Sequence, residues 1–128
     1  MHGGIRYFFD SYAIIAILEG NEKYQRFKIS EGATTLLNLM EVQYYLHKNR
    51  EKESDIKDSI AAFLPLCISF SQTDCYEAVK FRYARKEKSF SYIDCLGYIL
   101  AKRLELSFLT GDKEFEGLPN VEFVRVKA

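Results

Sequence analysis

The stretch from Ile5 to Leu18, IRYFFDSYAIIAIL, decides the fold that we expect. Ile5 to Phe9 are apolar or aromatic apart from Arg6, a composition typical of a buried strand. From Ala13 to Leu18 the apolar residues recur at helical spacing, which predicts a helix. Asp10 therefore lies in the turn that leads from a strand into a helix. In open α/β sheets this is the edge at which ligands bind.

Strands and helices are predicted to alternate along the rest of the chain. Strands are predicted over Ile5–Phe9, Lys28–Ser30, Leu66–Phe70, Leu106–Leu109 and Val121–Val126. Helices are predicted over Ser11–Glu19, Glu22–Phe27, Leu36–Lys48 after Thr34 or Thr35, from Ser54 or Asp55 to Phe63, from Thr73–Asp74 to Lys88, and from Ser91 to Leu104. This order predicts an α/β fold, a parallel sheet of about five strands sandwiched between helices. We expect residues 1–128 to form a single domain, since nothing in the chain resembles an interdomain linker.

Composition excludes several classes of protein. The chain has 18 Lys plus Arg and 18 Asp plus Glu, which argues against nucleic-acid binding through bulk charge but not against a local basic rim. Its three cysteines, Cys67, Cys75 and Cys95, form no C-x-x-C pair and suit core positions in a reducing compartment. Asp10 interrupts the first apolar run too early for a signal peptide, and no run approaches the roughly 20 residues of a membrane span. We therefore expect a cytoplasmic protein.

Four acidic residues are candidates for a site. Each of three has a local explanation: Asp10 can cap a helix, Asp94 can complete a capping box of the form Ser-x-x-Asp, and Asp112 suits a turn. Glu41 lies in mid-helix among apolar residues, where it either pairs with a cation, reaches the surface or belongs to a site. Asp10 and Asp112 both follow apolar strands and Asp94 opens a helix. A parallel sheet would therefore bring them to one edge, with Glu41 leaning towards it.

Carboxylates that converge in one cleft repel each other, and a divalent cation would relieve the repulsion. Ligands that are all oxygen favour Mg²⁺ or Mn²⁺ over zinc. The two histidines, His2 and His47, do not stand at zinc-ligand spacing from a cysteine. Ser11 directly follows Asp10, and Thr110 lies two residues before Asp112. Their hydroxyl groups could therefore hold the carboxylates in place.

The chain resembles the PIN-domain nucleases, and among them the small VapC-type toxins. The resemblance rests on FFDSYAIIAIL around Asp10, ATTLLNLMEVQYYL around Glu41, FSYIDCLGYILAKRLELSFLTGDKEF around Asp94 and Asp112, and the closing VEFVRV. It implies that these four acids are the catalytic, metal-binding residues, with Thr110 as the family's hydroxyl. It also implies Mg²⁺- or Mn²⁺-dependent endonucleolytic cleavage of RNA, a homodimer and an antitoxin. The family's Asp-Thr-Ser or Asp-Ser-Ser is Asp-Ser-Tyr here, so Tyr12 either narrows the cleft or stacks on a base.

Cationic and aromatic residues near these acids are candidates for substrate binding. Lys113, Arg82, Arg85 and Lys48 could grip the RNA backbone, although Arg82 and Arg85 also suit a solvated helix face. Tyr92 could stack on an unpaired base or belong to the core.

The competing hypothesis is a catalytically weak PIN-like module that binds RNA or a protein. Other phosphate chemistries fit less well. The Asp-x-Asp motif of haloacid-type phosphatases is absent, because Tyr12 stands at the position of its second Asp. The third predicted strand lacks the acceptor Asp of a receiver domain. Neither glycine-rich nucleotide-binding motif, G-x-x-x-x-G-K or G-x-G-x-x-G, is present.

Overall fold

A computed structural model describes residues 4–127. Within this range the chain forms four strands, β1 (Tyr7–Phe9), β2 (Gly32–Ala33), β3 (Ser107–Thr110) and β4 (Val121–Phe123), and five α-helices, α1 (Ser11–Leu18), α2 (Leu36–Lys48), α3 (Glu53–Phe63), α4 (Gln72–Ala84) and α5 (Tyr92–Arg103). The strand order is β2-β1-β3-β4 and every pair is parallel. The predicted α/β fold with a parallel sheet is confirmed.

Neighbouring residues of β1 and β3 point to opposite faces of the sheet and so divide the core in two. Phe8 and Phe108 pack with residues of α4 and α5 on one face. Phe9 and Leu109 pack with residues of α1, α2 and α3 on the other face. All four side chains are fully buried. The helices therefore cover both faces and leave the carboxyl edge of the strands for the cleft described below.

A glycine lets α5 lie close against the sheet. A Cβ atom at Gly97 would lie 2.7 Å from Cε1 of Phe8, a distance that real Cβ contacts do not reach. Asp94 lies three residues before Gly97, on the same side of α5. The close packing at Gly97 thus carries Asp94 towards the end of β1, where Asp10 lies.

Two predicted strands are wrong. In place of a strand over Leu66–Phe70, residues Leu64–Leu66 form a 3₁₀ helix and Cys67 makes only an isolated bridge with Thr34. The neighbouring edge strand β2 has two residues, so it offers too few ladder positions to extend the sheet. The sheet consequently has four strands in the described range rather than about five.

The second wrong strand is Lys28–Ser30. Ile29–Glu31 form a 3₁₀ helix and the strand begins only at Gly32. A Cβ at Gly32 would lie 2.0 Å from the ring of Phe9, so the chain can approach β1 this closely only at a glycine.

Several helix boundaries also differ from the predictions. α3 begins after Lys52 and has no side-chain cap, whereas Ser54 or Asp55 was expected. α4 begins after Ser71, whose hydroxyl and Asp74 form a capping box, and ends at Ala84, before the predicted Lys88. The predicted helix over Glu22–Phe27 is a 3₁₀ helix, Glu22–Tyr24. The last strand ends at Phe123 rather than at Val126.

One face of α2 exposes apolar side chains to solvent. Leu36, Met40 and Tyr44 follow each other at four-residue spacing and are all more than half exposed. Val79 of α4 is also half exposed. Among residues 4–127, no helix is both long and apolar enough to cross a membrane.

Candidate active site

Three of the four predicted acids line one cleft at the carboxyl edge of the sheet. Asp10, Asp94 and Asp112 border this cleft, which has a volume of about 290 Å³, together with Tyr12 and Lys113 among others. Asp10 directly follows β1, and Asp112 comes two residues after the end of β3. Asp94 lies in the first turn of α5. The convergence follows from the parallel sheet, because its strands all end at the same edge.

Asp10 is the buried centre of the cleft. Its side chain is 3% exposed, and its Oδ1 accepts a hydrogen bond of 2.8 Å from the backbone N–H of Ala13. Burial raises the pKa of Asp10 to about 8, against the lowering effect of hydrogen bonds from Thr110 and Ala13. The charges of Asp94 and Asp112 raise the pKa further. The Asp10 carboxyl group therefore lies within electrostatic reach of two others.

Asp94 caps its own helix and still faces the cleft. Its Oδ2 accepts from the N–H of Ser91 at 2.9 Å, while Ser91 Oγ accepts from the N–H of Asp94 at 3.0 Å. Burial raises the pKa of Asp94, and the charges of Glu41 and Asp112 raise it as well, whereas the bonds from Ser91 lower it. The capping box and the cleft are thus compatible roles for one carboxylate.

Asp112 is oriented by the turn that follows β3. Its Oδ1 accepts from the N–H of Glu114 at 3.0 Å, and its own N–H donates to Thr110 Oγ1 at 3.0 Å. Thr110 is fully buried, and its hydroxyl also lowers the pKa of Asp10. Thr110 therefore lies close to both strand-end acids, as its position in the sequence suggested.

Glu41 lies beside the cleft rather than in its lining. It is half-buried on α2, and its Oε1 accepts a hydrogen bond of 2.6 Å from Ser11 Oγ. Its charge raises the pKa of Asp94, which places the two carboxylates in mutual reach. We expected the Ser11 hydroxyl to support Asp10, but in the structure it bonds Glu41. This contact gives Glu41 the polar partner that the helix pattern alone did not supply.

Asn38 is a residue of this network that sequence reasoning missed. It is 2% exposed. Its Nδ2 donates to Ser11 Oγ at 3.1 Å, and its Oδ1 accepts from Thr35 Oγ1 at 2.7 Å. The sequence feature that could have indicated Asn38 is its position three residues before Glu41, which places both polar side chains on the same face of the helix. Asn38 and Ser11 together fix the direction of the Glu41 side chain.

The predicted substrate-binding residues fall in different places. Lys113 lines the cleft. Arg82 Nε donates to the carbonyl of Phe90 at 2.9 Å, and its guanidinium lies 4.7 Å from the ring centre of Tyr92. Arg85 lies 4.1 Å from the ring centre of Phe81. These two arginines thus pack on aromatic rings of the protein itself.

Two aromatic or basic candidates lie outside the acidic cleft. Tyr92 is 62% exposed and lines a separate apolar groove with Leu37, Val79 and neighbouring residues. Lys48 lies 5.7 Å from the ring centre of Tyr44 on the outer face of α2. A cation that we did not predict, Arg125, does line the acidic cleft. The sequence feature that could have indicated Arg125 is the alternation of apolar and charged residues in VEFVRV, in which Val124 is buried and Arg125 is exposed.

The donor set suits a hard cation chemically, although no three His, Cys, Asp or Glu side chains in residues 4–127 are already grouped as metal ligands. Asp94, Asp112 and Glu41 each use one carboxylate oxygen in the bonds given above. In the described part of the chain, the second oxygen of each accepts no hydrogen bond. Oxygen donors of this kind select Mg²⁺ or Mn²⁺. A cation would also offset the repulsion from Asp94 and Asp112, which adds to the effect of burial on the pKa of Asp10. His47 lies on the exposed end of α2 and is no part of this set, whereas His2 lies outside the described residues.

Comparisons with known proteins agree with this architecture. The sequence model of the PIN domain matches residues 7–121. A toxin-antitoxin complex from Klebsiella pneumoniae is similar, with 22% identity, a TM-score of 0.69, and coverage of 91% of this chain and 95% of that chain. VapBC2 from Rickettsia felis, bound to a DNA fragment from its promoter, has 18% identity, a TM-score of 0.68, and coverage of 94% and 98%. A protein from Pyrobaculum aerophilum has 16% identity, a TM-score of 0.68, and coverage of 95% and 91%. No curated protein sequence matches the chain.

Proposed function

Since the chain belongs to the PIN domain family, we propose that it is a Mg²⁺- or Mn²⁺-dependent endoribonuclease, the toxin of a toxin-antitoxin pair. We further propose that residues 1–128 act as one PIN domain in the cytoplasm. The observation that carries the proposal is the convergence of Asp10, Asp94 and Asp112, from distant parts of the chain, on one cleft at the carboxyl edge of the sheet. Glu41 lies beside this cleft, where its Oε1 accepts a hydrogen bond from Ser11. The charges of Asp94 and Asp112 raise the pKa of Asp10 beyond the effect of burial.

In this proposal Asp10, Glu41 and Asp94 hold the principal cation and Asp112 completes the site. When bound, such an ion lowers the pKa of a water ligand and neutralises charge on the phosphate. Thr110 holds the turn of Asp112 through the N–H of Asp112, and its hydroxyl also acts on the pKa of Asp10. Ser11 holds Glu41 in the same way from α1. Lys113, at the rim of the cleft, offers its ammonium group to the RNA phosphate.

The test is an RNase assay with Mn²⁺, repeated with EDTA. We expect Asp10→Asn and Asp94→Asn to abolish cutting, and EDTA to abolish cutting by the unmodified protein. Asp58→Asn is the matched control, because Asp58 is exposed on α3 and lies outside the cleft. Undiminished cutting by either cleft variant, or in EDTA, would contradict the metal mechanism.

We also propose two protein partners, an antitoxin and a second copy of the chain. Support comes from two exposed apolar surfaces: the face of α2 formed by Leu36, Met40 and Tyr44, and a groove of about 260 Å³ lined by apolar residues of α2, α4 and α5. Apolar surfaces of this kind commonly mark protein interfaces. A monomer by light scattering would contradict the homodimer. Failure to co-purify with the product of an adjacent reading frame would contradict the antitoxin.

A second candidate function is a catalytically weak module that binds RNA or protein. It is favoured by the observation that residues 4–127 contain no ready-made group of three metal ligands. Thermal unfolding separates the two candidates, because an ion that binds only the folded state stabilises it. A nuclease should gain stability in millimolar Mn²⁺, whereas an unchanged melting temperature in both Mn²⁺ and Mg²⁺ favours the module.

A further inference from the structure

We propose that Arg125 binds a phosphate of the RNA backbone at the acidic cleft and that Tyr12 positions the segment that carries it. This inference rests on the proposed ribonuclease function and adds a substrate-binding residue from the far end of the chain. Arg125 lies outside every stretch from which the acids come, two residues beyond the end of β4. Three features support it: the unpaired charge of Arg125 in the described residues, the hydrogen bonds of its backbone neighbours and the position of the Tyr12 ring.

The charge of Arg125 is available to a ligand. Arg125 lines the same cleft as Asp10, Asp94 and Asp112. Within residues 4–127, no carboxylate oxygen lies within salt-bridge distance of its guanidinium group. A phosphodiester that approaches three carboxylates meets repulsion, which a cation on the rim offsets. With Lys113, Arg125 gives the cleft two such cations.

The backbone around Arg125 is held on both sides. The N–H of Val124 donates to the carbonyl of Thr110 at 2.8 Å, and the buried Tyr24 hydroxyl donates to the carbonyl of Val124. After Arg125, the N–H of Val126 donates to the hydroxyl of Tyr12 at 2.9 Å. Three contacts to different elements therefore fix the residue on each side of Arg125. Such support is what a binding side chain needs, because a loosely held one contributes less.

The ring of Tyr12 fits into space left by a glycine. A Cβ at Gly111 would lie 2.0 Å from Cε1 of Tyr12 and 2.6 Å from the carbonyl oxygen of Val124. Tyr12, Gly111 and the segment after β4 are therefore in direct contact at the cleft. Of the two roles that the sequence suggested for Tyr12, the structure favours shaping the cleft, because its hydroxyl is already bonded to the backbone of Val126.

The test measures binding of a short single-stranded RNA by fluorescence anisotropy, in Mg²⁺ and in the Asp10→Asn background so that the RNA stays intact. We expect Arg125→Gln to weaken binding about fivefold to tenfold at low salt. We also expect it to reduce the slope of log K against log salt concentration by about 0.7, the value for one phosphate contact on a single strand. Arg125→Lys should keep the slope and recover part of the affinity. Tyr12→Phe should weaken binding about twofold with the slope unchanged, since the charge remains.

Arg6→Gln is the matched control. It removes the same charge from an exposed arginine just before β1, at the opposite edge of the sheet. We expect its affinity and salt slope to equal those of the parent, which is the Asp10→Asn protein without a further substitution. Melting temperatures will show that all variants are folded. If Arg125→Gln binds like Arg6→Gln while the unmodified protein cleaves RNA, this inference alone is overturned. If the parent binds no RNA and the unmodified protein cuts none, the proposed function is overturned and this inference with it.

Discussion

Removing the charge of Asp10 should stabilise the protein in the absence of metal, although it removes a proposed catalytic group. Burial raises the pKa of Asp10 from 3.8 to about 8. At pH values between these two pKa values, the Asp10 carboxyl group keeps its proton in the folded protein and has lost it in the unfolded chain. The free energy of unfolding therefore falls as the pH rises, by about 1.4 kcal/mol per pH unit, and the loss levels off above about pH 8.

The magnitude follows from the size of this shift. At about pH 7 the pH lies roughly three units above the unfolded pKa, so the loss amounts to about 4 kcal/mol. Asparagine carries no charge and can keep the bond from Ala13, since it is as good an N-cap as aspartate. We therefore expect Asp10→Asn to be more stable by about 2 to 4 kcal/mol near pH 7, a rise in melting temperature of about 10 °C. The gain should shrink towards zero near pH 4.

The assay is thermal unfolding followed by circular dichroism in EDTA, at pH values between about 5 and 8. Asp58→Asn, an exposed substitution on α3, serves as the control and should show little change at any pH. Added Mn²⁺ should then stabilise the unmodified protein more than Asp10→Asn, because the ion relieves the buried charge. An Asp10→Asn variant that is no more stable near pH 7, or whose gain does not depend on pH, would refute the reasoning.

Three further substitutions test other contacts. Gly111→Ala forces a Cβ against the ring of Tyr12 and the carbonyl oxygen of Val124 and should lower stability by about 1 to 3 kcal/mol in urea unfolding. A stability equal to that of the unmodified protein would contradict the clash. Ser11→Ala removes the bond that orients Glu41 and should weaken Mn²⁺ binding about tenfold by calorimetry, whereas unchanged affinity would remove Glu41 from the site. Asp74 is 3% exposed and pairs with Arg103 at 2.7 Å. Burial acts to raise the pKa of Asp74, but the bonds from Arg103 and Ser71 hold this pKa below its usual range. Asp74→Ala should therefore cost about 1 to 3 kcal/mol near pH 7, the difference fading as the pH falls through that lowered pKa, and a constant difference would contradict this assignment.

Local chemistry explains what could be predicted. Asp10, Thr35 and Ser91 each start a helix where the sequence predicted it, because an N-cap bonds an N–H only two or three residues ahead. The end of an apolar strand is equally local, so the positions of Asp10 and Asp112 at one edge followed from the order of the elements. The predictions for Leu66–Phe70 and Lys28–Ser30 failed because a strand exists only if a neighbour offers a matching ladder, and β2 is two residues long.

The parallel α/β fold, the helix starts and the edge at which the acids collect could thus be predicted from the sequence, since helix caps and strand ends depend on residues close together in the chain. The three-dimensional packing alone shows that Ser11 bonds Glu41, that Asn38 completes this network and that Tyr12 holds the segment of Arg125. The hydrogen bonds concerned join residues 27 to 114 positions apart. The physical reason is that packing of distant segments chooses such partners, and no spacing along the chain records it.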